Sequence, residues 1–112
     1  MHKITVIFGT RPEAIKLAPV IHELKKHDQI EVDVCLTGQH QQMVWQVLNF
    51  FEIKPNHEFQ LMTENQTLAS FTSKALEAVD DYLEKQNPDL VLVQGDTSTV
   101  MATSMACYFR GV

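Results

Sequence analysis

The chain has 112 residues, 45% of them hydrophobic and 21% charged, with a formal net charge of -5. These values are typical of one globular domain, or part of one. The acidic balance argues against general nucleic-acid binding, which needs clustered Lys and Arg. No apolar run approaches the roughly 18 residues of a membrane span, and the N-terminus has no signal-peptide layout. We therefore expect neither nucleic acid nor membrane as a partner.

The first strand, turn and helix carry the strongest local pattern. Ile4–Phe8 is an apolar, largely β-branched run, which predicts a central parallel strand covered on both faces. Helix Pro12–Lys26 follows within a few residues, with apolar side chains spaced by three and four. Thr10 and Glu13 have the spacing of a capping box at its start.

The turn between these two elements predicts an anion site. A strand that leads into a helix N-terminus is the arrangement that open α/β sheets use to hold phosphates. Arg11 and Lys16 would add two cations beside free backbone N–H groups of the turn. The turn has neither G-x-G-x-x-G nor G-x-x-x-x-G-K-[ST], so a nicotinamide dinucleotide or a P-loop nucleotide is disfavoured.

Further strands and helices alternate along the chain. The predicted strands are Glu31–Thr37, His57–Leu61 and Leu90–Val93, and the predicted helices are Gln41–Phe51, Thr67–Lys85 and Thr97–Arg110. Because parallel strands are joined by right-handed crossovers, this order predicts an α/β fold with a doubly wound parallel sheet in strand order 3-2-1-4. No closing element follows, so we interpret residues 1–112 as a truncated, incomplete Rossmann-like domain.

A second turn, at Gly95, Asp96 and Thr97, follows the fourth strand. If the first and fourth strands are neighbours, the two turns flank the switch point where ligands bind such sheets. Asp96 would then be an ionised hydrogen-bond acceptor or a proton-transfer group. A simpler interpretation makes Asp96 only the N-cap of the last helix. Spacing alone leaves both interpretations open.

The cysteines and histidines show no spacing typical of metal ligands. Cys35 and Cys107 both fall in predicted buried elements and are interpreted as reduced core thiols, consistent with the cytoplasm. Among the histidines, His40 follows the second strand at the edge where ligands bind. A structural hydrogen bond explains His40 equally well. We predict no metal and no cofactor.

Four segments together resemble the bacterial non-hydrolysing UDP-N-acetylglucosamine 2-epimerases. They are FGTRPEAIK at 8–16, GQH at 38–40, QTL at 66–68 and PDLVLVQGDT at 88–97. The match runs in order over essentially the whole chain, and the first and last segments are the most specific. The resemblance implies the first part of the N-terminal domain of a two-domain, GT-B-like enzyme whose C-terminal domain is absent here.

The resemblance also implies a reaction. Such enzymes interconvert UDP-N-acetylglucosamine (UDP-GlcNAc) and UDP-N-acetylmannosamine (UDP-ManNAc) by eliminating UDP and adding it back to 2-acetamidoglucal, for surface-polysaccharide synthesis in the cytoplasm. Arg11 would contact the UDP diphosphate, with Lys16, Gly9 and Thr10 supporting that site. Asp96 would be an essential carboxylate in acid–base catalysis at the sugar. The full-length protein would be a homodimer.

Many members of the family hold a second, activating UDP-GlcNAc near the active site. The resemblance implies that Gln39, His40, Gln42 and Gln66 are the residues by which this segment would contribute to that pocket. Asn65 stands where members with the pocket often carry Arg, which puts activation in doubt. Because the family's further glutamates, its histidine and the C-terminal domain are absent, we expect the 112 residues alone to be inactive.

Two other functions fit the same architecture. The acceptor-side domain of a GT-B glycosyltransferase is one, although the paired motifs around Arg11 and Asp96 speak against it. A non-catalytic interaction module is the other, and it would have no affinity for UDP-sugars. In all three cases a sheet that stops here would leave an open edge and an apolar face, so we expect self-association.

Overall fold

The computed structural model describes residues 1–38 and 41–112, which form alternating parallel strands and helices. The elements are β1 (His2–Phe8), α1 (Arg11–Lys25), β2 (Ile30–Leu36), α2 (Gln41–Phe50), β3 (His57–Glu58), α3 (Leu68–Gln86), β4 (Leu90–Leu92) and α4 (Ser98–Arg110). The sheet order is β3-β2-β1-β4, and each neighbouring pair is parallel. The predicted fold class and strand order are confirmed.

Helices α1 and α2 cover one face of the sheet through an apolar core. It comprises Val6, Phe8, Val34 and Leu36 from the strands, Ala14, Leu17, Ala18 and Ile21 from α1, and Val44, Val47 and Leu48 from α2. The α1 positions repeat at three and four residues, which aligns them along one side of the helix. We call this the apolar face of the sheet.

Helices α3 and α4 cover the opposite face, where buried hydrogen bonds accompany the apolar contacts. The apolar part comprises Ile7, Cys35, Val79, Leu83 and Ala106. Thr5 and Asp33 point to the same face and are also buried. The Tyr82 hydroxyl donates to the Asp33 carboxylate at 2.5 Å and shares a hydrogen bond of 2.7 Å with the Thr5 hydroxyl. We call this the hydrogen-bonded face.

Two elements differ from the sequence prediction. Strand β3 has two residues instead of the predicted five, because Gln60 has a left-handed φ of 51° that interrupts the extended backbone. In α3, the apolar spacing of the sequence predicts Leu68 on the buried side, but Leu68 is 72% exposed because it is the first helical residue after the N-cap Thr67. Tyr82 on the same helix is buried instead.

Helix α4 has an exposed apolar stripe. Met101, Met105 and Tyr108 follow one another at intervals of four and three residues, and each is at least 40% exposed. The other side of α4 packs on α3 through Ala102, next to Phe71 and Ala75. No helix in the described ranges is long and apolar enough to cross a membrane.

Candidate functional site

The turns that follow β1 and β4 lie at the same edge of the sheet. The two strands are parallel neighbours, with Val6 opposite Leu92 at the end of their pairing. The Thr97 hydroxyl then donates to the Glu13 carboxylate at 2.5 Å, across 84 positions of sequence. The structure therefore brings together the two turns that carry Arg11 and Asp96.

Glu13 is the buried connection between these turns. Its side chain is 2% exposed, and its Oε1 accepts hydrogen bonds from the backbone N–H groups of Gly9 at 2.9 Å and Thr10 at 3.2 Å. The capping box predicted for Thr10 and Glu13 is present. The Glu13 carboxylate thus occupies the N–H groups of Gly9 and Thr10, so these two donors of the turn are not free for a ligand. The bond to Thr97 had no signal in the sequence.

Asp96 is exposed and does not cap α4. The N-cap is Thr97, whose hydroxyl accepts from the backbone N–H of Val100 at 3.4 Å, so the interpretation of Asp96 as a mere cap is wrong. Within residues 1–38 and 41–112, no hydrogen bond or ion pair engages the Asp96 carboxylate. Gly95 has a φ of 98°, which favours glycine and lets the chain turn directly before Asp96.

The two cations of the first turn are also exposed. Arg11 and Lys16 lie in the first turns of α1, and neither forms an ion pair with a carboxylate of the described residues. Arg11 also lines an open cleft of about 350 Å³ between α1 and α2, next to Phe50 and Phe51. Both side chains are therefore available to an anionic ligand at this edge.

The end of β2 joins the same edge through a second hydrogen bond to α4. The hydroxyls of Thr37 and Thr99 are 3.0 Å apart, and both side chains are fully buried. Gly38 follows with a φ of 82°, and a Cβ there would lie 3.2 Å from the backbone of Gln60. The start of α4 is thus hydrogen-bonded to Thr37 after β2, and through Glu13 it is linked to the turn after β1.

The residues proposed for a second ligand are only partly placed. Gln39 and His40 lie outside the described residues. Gln42 is exposed in the first turn of α2. The Gln66 side chain binds its own loop, because its amide donates to the carbonyl of Leu61 at 2.9 Å and accepts from the N–H of Thr63 at 3.3 Å.

The backbone conformation at position 65 favours asparagine. Asn65 has a φ of 55°, a left-handed conformation that asparagine adopts more readily than most residues. An arginine would be less favourable in that backbone. Asparagine therefore suits the local backbone at this position.

Neither thiol is suited to act as a nucleophile. Cys35 and Cys107 are both free. Burial raises the pKa of the Cys35 thiol to about 12 and also raises the pKa of the half-buried Cys107. In the part of the chain that is described, no group of three His, Cys, Asp or Glu side chains is arranged to hold a metal ion.

The comparisons with known proteins all identify the same family. The model of the UDP-N-acetylglucosamine 2-epimerase family matches residues 22–112. The UDP-N-acetylglucosamine 2-epimerase of Bacillus subtilis is 48% identical over 110 residues, which are 98% of this chain and 29% of that protein. The crystal structure of UDP-GlcNAc 2-epimerase from Neisseria meningitidis bound to UDP-GlcNAc superposes with a TM-score of 0.94 at 47% identity, over 98% of this chain and 30% of that one.

A more distant relative has the same fold. The UDP-GlcNAc 2-epimerase of Methanocaldococcus jannaschii, solved in complex with UDP-GlcNAc and UDP, has a TM-score of 0.91 at 32% identity, over 98% of this chain and 30% of that one. The chain thus spans about 30% of the length of the relatives it matches. With a family model that covers most of its residues and relatives near 48% identity, the chain belongs to the UDP-N-acetylglucosamine 2-epimerase family.

Proposed function

We propose that these 112 residues are the first part of the N-terminal domain of a UDP-GlcNAc 2-epimerase that interconverts UDP-GlcNAc and UDP-ManNAc. The observation that supports this most is the joining of two turns at one sheet edge, with Arg11 on one turn and Asp96 on the other, neither of them in an ion pair within residues 1–38 and 41–112. The longer chain that includes the rest of the enzyme is called the full-length protein below.

The chemistry assigns different tasks to the two turns. In the first step the bond between C1 of the sugar and the diphosphate breaks, its electron pair leaves with UDP, and the proton on C2 is removed, which gives 2-acetamidoglucal. Arg11, supported by Lys16, would stabilise the departing diphosphate, and Asp96 would take part in proton transfer. Return of UDP to C1 and of a proton to the other face of C2 completes the epimerisation.

The wider assignments follow from the same family. The ligands would be UDP-GlcNAc and UDP-ManNAc, and the product would supply surface-polysaccharide synthesis in the cytoplasm. The full-length protein would be a homodimer with a second, C-terminal domain and no metal or cofactor. Gln39, His40 and Gln42 would border a site for an activating UDP-GlcNAc, whereas Gln66 would support its own loop.

Two substitutions in the full-length protein test this proposal. Asp96→Asn should lower kcat by about 100-fold or more, because loss of a well-placed acid–base group typically costs that much. It should also slow exchange of the C2 proton with solvent deuterium. Arg11→Ala should weaken UDP binding and lower kcat/KM by about 100-fold, since a charge on the leaving group loses its partner. NMR of the UDP-sugars in deuterated buffer measures both effects.

The controls are exposed charges on α3. Asp81 and Lys85 lie in the last turns of α3, which are remote from the two turns, and Asp81→Asn and Lys85→Ala should leave turnover unchanged. The 112 residues alone should give no epimerisation. Absence of interconversion by the full-length protein, or transfer of the sugar to an added acceptor, would contradict the proposal in favour of an interaction module or a glycosyltransferase.

A further inference from the structure

We infer that Glu13 and Thr97 form a tether that positions the two turns of the site, and that this tether is needed for turnover although neither side chain need touch substrate. The inference rests on the proposed function for its effect on rate. Its structural part, the connection between the turns, is independent of which reaction the site performs.

The β-sheet pairing does not itself hold the turns together. The ladder between β1 and β4 ends at Val6 and Leu92. Arg11 lies five residues beyond that point on one strand, and Asp96 lies four residues beyond it on the other. The Glu13–Thr97 hydrogen bond spans this gap, directly next to Asp96 and within the first turn of the helix that carries Arg11.

Among the described residues, all the hydrogen bonds made by the Glu13 carboxylate are directed at the two turns. One oxygen accepts from the backbone of the first turn, at Gly9 and Thr10, and the other accepts from Thr97 of the second. The side chain is 2% exposed, so water cannot readily replace a lost partner. Because one buried carboxyl group bonds to both turns, the position of each turn depends on the other.

The Thr97 hydroxyl has two tasks, one as a hydrogen-bond donor and one as a hydrogen-bond acceptor. Its hydrogen is donated to Glu13, while its oxygen accepts from the backbone N–H of Val100 and thereby caps α4. A substitution can remove one task without the other. Serine retains both tasks, valine loses both, and aspartate retains the cap but loses the donor and opposes a second carboxylate to Glu13.

These substitutions in the full-length protein give the test. Thr97→Ser should stay within about 3-fold of wild-type kcat. Thr97→Val and Thr97→Asp should both lower kcat by about 10- to 100-fold, because misplacement of reacting groups by about 1 Å has effects of that order. The decisive variant is Thr97→Asp, since the cap of α4 is retained while the donor to Glu13 is removed and a carboxylate that repels Glu13 takes its place, and both changes break the tether.

A double substitution tests whether the two residues act as one unit. Glu13→Met, which is similar in size but cannot accept a hydrogen bond from Thr97, should lower kcat by at least the factor of Thr97→Val, and the pair combined should be no slower than the slower single variant. Tyr82→Phe is the matched control, because it removes buried hydrogen bonds on the hydrogen-bonded face, away from both turns. It should lower Tm without lowering kcat.

Amide hydrogen exchange separates this inference from the proposed function. Thr97→Asp should speed exchange at Gly9 and Thr10 relative to wild type and to Thr97→Ser. Unchanged exchange at those amides, or wild-type kcat in Thr97→Asp, would overturn the tether. A wild-type protein without epimerase activity but with the expected exchange would overturn the proposed function and leave the tether standing.

Discussion

At both turns, neighbouring residues divide the structural and the chemical tasks. Thr97 caps α4 and binds Glu13, so the adjacent Asp96 remains exposed and unpaired among the described residues. Glu13 accepts from the backbone of the first turn, so Arg11 two positions earlier needs no structural partner. If Asp96 and Arg11 already formed hydrogen bonds within the protein, those bonds would have to break before either side chain could bind a ligand.

The two thiols should differ in reactivity. Cys35 is fully buried in β2 with its pKa raised to about 12, whereas Cys107 on α4 is partly exposed with its pKa also raised by burial. Because the thiolate is the reactive form, iodoacetamide at about pH 8 should modify Cys107 slowly and Cys35 only after unfolding. Peptide mass spectrometry of the 112-residue chain measures this, and equal labelling of both under native conditions would contradict it.

At the scale of elements, the sequence predicts most of the fold and part of the site. The apolar runs of β1 and β4 and the spacing in α1 are local signals, so strand order and helix positions could be predicted. The end of β3 could not, because the left-handed φ of Gln60 has no marker in the sequence. The bond between Glu13 and Thr97 joins residues 84 positions apart and depends on the register of two strands.

The contact between α3 and α4 should depend on pH. The Arg110 guanidinium donates two hydrogen bonds to Asp80, at 2.5 and 3.1 Å, and thereby lowers the pKa of that carboxyl. A carboxyl with a lower pKa in the folded state stabilises the fold above its unfolded value of about 3.9, and this stabilisation is lost as the pH falls through the folded value.

Asp80→Asn tests that dependence in the 112-residue chain. The variant should have a lower Tm than wild type near neutral pH, and the difference should shrink as the pH falls below about 3.9 and vanish once the pH is below the lowered pKa of Asp80. Because both side chains are largely solvated, the difference should be small and should decrease in high salt. Thermal unfolding across this pH range measures it, with Asp28→Asn as an exposed control. A difference that persists in acid would contradict the assignment.

At the scale of the whole molecule, one side of the chain is not covered. Strand β4 lies at the edge of the sheet, and Leu90 on it is 48% exposed. A groove of about 130 Å³ runs between this strand and α4, and it is lined in part by Val93 and Thr103. Thr103 has a buried hydroxyl with no partner among the described residues. Such an edge favours pairing with another chain.

The 112-residue chain should therefore self-associate in solution. Light scattering after size-exclusion chromatography should give a mass above the monomer value of 12.8 kDa that rises with concentration. Met101→Glu combined with Tyr108→Glu should shift the chain towards monomer, because both side chains belong to the exposed stripe of α4. Met62→Glu, at an exposed apolar position elsewhere, is the control. A monomeric wild-type chain would contradict this prediction.

The contrast between the two faces of the sheet bears on how freely the protein can be redesigned. On the apolar face, substitutions at Val34 or Leu36 need only preserve volume and shape, and cores tolerate many such combinations. On the other face, Thr5, Asp33 and Tyr82 must each supply a specific atom to their neighbours. Sequence libraries directed at the apolar core positions of α1 and α2 should thus yield many folded members, whereas libraries that vary Thr5, Asp33 and Tyr82 together should yield few.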